Sequence, residues 1–181
     1  MLTTKDFKYY LELVNRSKEV LNDLNVPYSK HINFDYFKSK RSWGVCETLP
    51  HNKFQIKVSE RLIQSHKDKE VMDTIIHELL HTIPGGQCHT GNWKKYAEYV
   101  NSKTEFNIKR RTSEEEKGFK PTPFTYKYKL VCNNCGATSY YRKETRLIKN
   151  SGAGYRCTCT KCHNKAFTAY TAEDKMLFKI F

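Results

Sequence analysis

The run His77-Glu78-Leu79-Leu80-His81 places the tightest constraint on what this chain can become. On a helix, residues four apart stand one turn apart on the same face, so both imidazoles can reach one metal ion and the glutamate lies beside it. A helical HExxH supplies zinc with two nitrogen ligands and sets a carboxylate as general base. Val71, Met72, Ile75, Ile76, Leu79 and Leu80 recur at helical spacing, which predicts a buried helix from about Lys69 to His81 with its histidine face turned to a cleft. Pro84-Gly85-Gly86 ends that helix and lets the backbone fold back. A catalytic zinc site takes three protein ligands and keeps one position open, and the turn brings His89 forward as the third ligand. Glu98, on the following helix, is the alternative; Cys88 reads as a spare thiol or a packed neighbour.

A second metal pattern occupies the C-terminal third. Of seven cysteines, five fall at 132, 135, 157, 159 and 162, with C-x2-C spacing at each end of the group. Two such knuckles about twenty residues apart are the signature of a zinc ribbon, a small sheet closed by a tetrathiolate site. The spacing selects Cys132, Cys135, Cys159 and Cys162 as ligands of a structural zinc, with Cys157 and His163 as neighbours that could substitute. No export signal accompanies these cysteines, so zinc is favoured over disulfides, Cys46 and Cys88 are expected as free thiols, and the compartment is read as cytoplasmic.

The formal charge of +13 is unevenly placed. From residue 125 onward there are 11 Lys/Arg against 3 Asp/Glu, a net +8, whereas residues 1–124 carry 21 against 16. A basic module favours a polyanion, and with no apolar span or basic amphipathic helix the expected partner is nucleic acid, with no membrane. Tyr140, Arg142, Lys143, Arg146, Tyr155 and Arg156 interleave aromatics with cations, a combination suited to stacking on bases and neutralising phosphates of a single strand. Strand packing by tyrosine is the competing reading. No nucleotide cofactor is expected.

Taken in order, residues 4–24 read as an amphipathic helix, and segments around Ile32–Tyr36, Trp43–Val45 and Phe54–Val58 as a small antiparallel sheet able to cover the metal helix and offer an edge to an extended peptide. His31, His51 and His66 sit outside any ligand spacing. The expected organisation is a metal-binding domain over 1–101, a linker or extended arm over 102–124 with Lys109-Arg110-Arg111 and Glu114-Glu115-Glu116, a zinc ribbon over 125–172, and an apolar tail over 173–181. The fold class is α+β.

With these motifs in order, the chain resembles the SprT-like family of zinc metallopeptidases, which includes the Spartan proteases. The likeness rests on Ser42-Trp43-Gly44, the Ile56–Leu62 segment, HELLH, His89 with Gly91 and Trp93, and the paired C-x2-C ribbon preceded by Tyr155. The resemblance implies a zincin fold, a catalytic zinc on His77, His81 and His89, Glu78 as base, and proteolysis of proteins associated with DNA. In two places the chain departs from the family: the gap from His81 to His89 is short, and Thr90 stands where a glycine usually follows the third histidine.

The expected function is a zinc-dependent endopeptidase acting on a protein substrate in a DNA-associated setting. The rival is a nucleic-acid-binding zinc protein whose zincin domain is structural or regulatory. Zinc hydrolysis of a small substrate would instead need an enclosed pocket.

Overall fold

Helix α1 (Thr4–Asp23) starts where Thr3 and Asp6 cap each other, the Asp6 N–H donating to Thr3 Oγ1 at 3.1 Å and the Thr3 N–H to Asp6 Oδ2 at 3.0 Å. Its apolar stripe buries Tyr10, Leu13, Val14 and Leu21 and packs along helix α3 (Asp68–Leu80), which carries the HExxH run. Asp68, at the start of α3, fastens the pair by accepting from Tyr9 Oη at 2.8 Å and Arg16 Nη1 at 2.7 Å. These facts come from a computed structural model that describes residues 2–39, 42–121, 125–149 and 157–180. Two units divide the chain, 1–119 and 120–181.

In the first unit β1 (Ile32–Phe37), β2 (Gly44–Leu49) and β3 (Lys53–Ser59) form a sheet of order β1-β3-β2. The expected antiparallel sheet is therefore mixed: β2 and β3 pair antiparallel, Gly44 opposite Val58, while β1 and β3 are parallel, Ile32 opposite Phe54. The reason lies in the turns. Pro50–Asn52, with His51 and Asn52 at φ of 60° and 55°, joins β2 to β3 tightly enough to make them a hairpin. β3 then inserts between β1 and β2, and in an up-down-up chain the third strand runs the same way as the first. Phe54, Ile56 and Val58 of β3 face the core with Leu62 and Ile63 of the short helix α2 (Glu60–Ile63) and the buried face of α3. Helix α4 (Gly91–Lys103) closes the core with Trp93, Ala97 and Val100.

Residues 104–119, expected as part of a linker or arm, lie against this unit. Ile108 is buried in its core, the Asn107 N–H donates to Asp73 Oδ1 at 2.9 Å, and Phe119 stacks on Trp43 at 5.1 Å. Several of the segment's charges are paired within the unit. Lys117, 3% exposed, donates to the Glu70 carbonyl at 2.7 Å and pairs with its carboxylate; Glu114 pairs with Arg61 at 2.5 Å and Glu116 with Lys109 at 2.8 Å. Pro123 of the expected arm lies outside the described residues.

The second unit is a four-stranded antiparallel sheet of order β5-β4-β6-β7, with β4 at Tyr128–Cys132, β5 at Thr138–Tyr141, β6 at Phe167–Thr171 and β7 at Met176–Ile180. The expected tail is thus a strand, pairing Ile180 with Phe167 and Phe178 with Ala169. The core beneath it is small, made of Leu130, Leu147, Ile148, Phe167 and Ala169 with two cysteines. Among the described residues no helix is long and apolar enough to cross a membrane.

Candidate metal centre

α3 ends at the residues that matter. His77 lies in its last turn, His81 is its C-cap, and the Thr82 hydroxyl takes up the Leu79 carbonyl at 2.7 Å as the helix stops. The chain then reverses through Gly85 at φ 74° and Gly86, where a side chain would run into the Leu80 carbonyl and Ile83. That reversal delivers His89, just ahead of α4, to the first two histidines.

The three imidazoles converge through Nε2. His77 Nε2 lies 3.3 Å from that of His81 and 3.0 Å from that of His89. A tetrahedral ion with metal–nitrogen bonds of about 2.0–2.1 Å would hold its nitrogens about 3.3–3.4 Å apart, so the donor set fits zinc in both chemistry and spacing. In two of them the other nitrogen is anchored: His77 Nδ1 donates to the Lys109 carbonyl at 2.9 Å and His81 Nδ1 to the Gly86 carbonyl at 2.7 Å. A carbonyl can only accept, which puts each proton on Nδ1 and leaves Nε2 its lone pair. Burial, followed by repulsion from His81 and His89, holds the His77 pKa down at about 3, so that ring is neutral at ordinary pH. Trp93 lies under all three rings, with centroids 4.8, 5.7 and 4.7 Å from those of His77, His81 and His89, and its Nε1 donates to the His77 carbonyl at 3.3 Å.

Glu78 faces the same space. Its Oε1 is 4.0 Å from His77 Nε2, its side chain is 7% exposed, and burial raises its pKa to about 8. A cation nearby would favour its carboxylate form. Glu98, the alternative ligand, is two-thirds exposed and paired with Lys94 at 3.6 Å, outside this group; Cys88 is exposed and also outside it.

Around the imidazoles opens a cleft of about 590 Å³, bordered by α3, by Gly44–Cys46 of the edge strand β2, and by Lys109–Thr112. Neither Lys109 nor Gly44 stood out as a site residue in the sequence by its own chemistry. A main-chain acceptor such as the Lys109 carbonyl leaves no mark on residue identity, and Gly44 carried weight only within Ser-Trp-Gly.

A model of the SprT-like family matches residues 5–112, from α1 through the far wall of this cleft. The chain belongs to the SprT-like family. A search of curated proteins finds no match to the chain. SprT-like domains are zincin-like and associated with metallopeptidase chemistry, and the histidine group, Glu78 and the α+β fold of the first unit agree with that assignment.

The second unit brings together Cys132, Cys135, Cys159 and Cys162 and leaves Cys157 and His163 out of the group. Sγ atoms of Cys132 and Cys162, and of Cys135 and Cys159, are 3.6 Å apart, near the roughly 3.8 Å edge of a tetrahedral site with metal–sulfur bonds of about 2.3 Å. The Asn164 backbone N–H and then the Asn134 side chain bring the Cys162 thiol down to about 6, and the backbone N–H groups of Cys162 and Lys161 lower Cys159. Donors aimed at sulfur favour the thiolate, the form that binds metal.

Of the residues expected at nucleic acid, Tyr140 on β5 is half exposed and packs on Tyr126 at 4.7 Å, while Arg142, Lys143 and Arg146 are exposed around the end of β5 and the short helix α5 (Arg146–Lys149). Tyr155 and Arg156 lie outside the described residues.

Proposed function

We propose that this SprT-like chain is a zinc-dependent endopeptidase acting on proteins in a DNA-associated setting. One observation carries the proposal: three imidazoles bring their Nε2 atoms together while a buried carboxylate opens onto the same cleft. His77, His81 and His89 would hold the catalytic zinc and the four cysteines a structural one. Zinc in such a site polarises a carbonyl and makes water acidic enough to serve as nucleophile near neutral pH. Glu78 then takes the nucleophile's proton and returns it to the departing amine. Among the described residues β2 has one edge on β3 and no strand on the other, so an extended polypeptide can add to it as a strand and lie across the cleft. Gly44–Cys46 of that edge border the cleft, so a chain added there would lie beside the imidazoles.

The DNA-associated part of the proposal rests on the charge of the second unit and on Tyr140, Arg142, Lys143 and Arg146, which suit a single strand. The test is cleavage of a flexible protein by the zinc-loaded chain, with and without a single-stranded oligonucleotide. Glu78→Gln is expected to abolish cleavage while both metals stay bound. If the loaded wild-type chain binds the oligonucleotide and cleaves nothing, it is a zinc protein that binds nucleic acid, and the endopeptidase reading is lost.

A further inference from the structure

Four cations line the cleft among the described residues: Lys109, Arg110, Arg111 and Lys117. Two are neutralised where they stand. Lys117 is buried on Glu70 and Lys109 is paired with Glu116. Arg110 and Arg111 are exposed, and among the described residues neither has a carboxylate partner, although three glutamates follow within six residues. Of those, Glu114 is taken by Arg61 and Glu116 by Lys109. The two acids that line the cleft, Asp73 and Glu78, are buried, and Asp73 is occupied by the Asn107 N–H and Lys69.

These arginines do not ride on a loose segment. The carbonyl before them, at Lys109, is held by His77 at 2.9 Å, and the carbonyl after them, at Thr112, is held by the Trp43 indole N–H at 3.2 Å. The pair therefore spans from the ligand helix to the foot of the edge strand with its backbone fixed at both ends. Holding two guanidinium groups in place beforehand reduces the ordering cost when they engage an anion. Guanidinium forks match carboxylates in bidentate geometry.

We propose that Arg110 and Arg111 select polypeptide substrates carrying an acidic side chain next to the bond lying over the histidines. The inference deepens the endopeptidase reading and rests on it for the position of the scissile bond. An acidic polypeptide is favoured over a nucleic-acid phosphate because the arginines line the wall of the cleft that holds Glu78 and the imidazoles, where the polymer being cut must lie.

The test uses two labelled peptides of equal length, one with Glu flanking the central bond and one with Gln. Binding is followed by anisotropy on zinc-loaded Glu78→Gln, and cleavage on the zinc-loaded wild type. A charge-assisted contact predicts a preference for the Glu peptide of about tenfold or more at low salt, shrinking as ionic strength rises. Arg110→Gln with Arg111→Gln is expected to bring the ratio close to one with metal content unchanged, and the paired Lys substitutions to keep part of it. Equal behaviour of the two peptides on the wild-type cleft overturns the inference, whether or not either is cut. A ratio that survives the double substitution does so as well, and so does a double variant whose only loss is in binding an oligonucleotide. Cleavage without preference removes this inference and leaves the peptidase reading standing. Preferential binding without cleavage does the reverse.

Discussion

A Cβ placed on Gly44 would stand 2.5 Å from Oε1 of Glu78 and 2.8 Å from its Cγ, so the backbone of β2 fixes where the buried carboxylate can sit. A methyl group there must displace Glu78 rather than the histidines. Gly44→Ala is expected to leave the metal content unchanged while cleavage falls by about a hundredfold, the usual consequence of an ångström-scale misplacement of a reacting group. Metal analysis beside a rate measurement checks both halves. An undiminished rate would mean that β2 does not position the base.

The His77 ring depends on the Lys109 carbonyl, thirty-two residues away, for its tautomer. A chain ending at residue 101 lacks that acceptor and also uncovers the core around Ile108. Compared with a chain ending at residue 121, it is expected to bind metal at the histidine site about 10–100-fold more weakly, the range seen when a ligand's supporting hydrogen bond is lost. Equal affinities by competition with a chelator would show that residues 102–119 are dispensable to the site.

How far this could be read from sequence divides along physical lines. Helix α3 and its two histidines follow from spacing alone, because a 3.6-residue period and the HExxH pattern point the same way. His89 follows from Pro84-Gly85-Gly86, a break strong enough to reverse the chain. The cysteine cluster follows from the paired spacing of its members. What could not be read depends on partners distant in sequence. Glu114 looks solvated until Arg61, fifty-three residues earlier, is beside it. The parallel pairing of β1 with β3 is decided by which strand inserts between the others, and three short apolar runs do not encode that choice. The strand at Met176–Ile180 has exposed Met176 and Leu177, so its pattern lacks the clean alternation that would have announced it.

Tyr10 is fully buried between α1 and the rest of the core, and among the described residues its hydroxyl has no hydrogen-bond partner. Burial first, then the charges of Asp35 and Glu78, raises its pKa far above the usual phenol value. Removing a stranded hydroxyl while keeping the ring should relieve a desolvation cost, so Tyr10→Phe is expected to stabilise the first unit by about 1 kcal/mol, a rise in melting temperature of roughly 2–4 °C. A lower melting temperature would show that the hydroxyl is satisfied by bound water.

Two thiols of the cysteine cluster favour the thiolate in the folded chain. A third, Cys135, is drawn down by the Ala137 backbone N–H but pushed up overall to about 12 by the neighbouring cysteines, so the acid sensitivity is that of Cys162 and Cys159. Cys162 is lowered from 9.0 to about 6 in the folded chain, first by the Asn164 backbone N–H, and Cys159 moves the same way. A depressed pKa means that folding favours the thiolate. In the metal-free chain this contribution is fully present above pH 9, and it is lost as the pH falls through about 6. Metal also requires thiolates, so protons and metal compete for the same sulfurs and acid should release the ion as it melts the sheet. Both tryptophans, Trp43 and Trp93, lie in the first unit, so their fluorescence reports on that unit, while alkylation of Cys132, Cys135, Cys159 and Cys162, resolved from Cys46 and Cys88 by peptide mapping, reports on the ribbon. On chelation, or in Cys159→Ser, the remaining ribbon thiols are expected to become rapidly alkylated. The same mutation should leave the tryptophan-detected melting transition in place. Thiols that stay protected after the metal is stripped would show that Leu130, Phe167 and their neighbours hold the sheet without it.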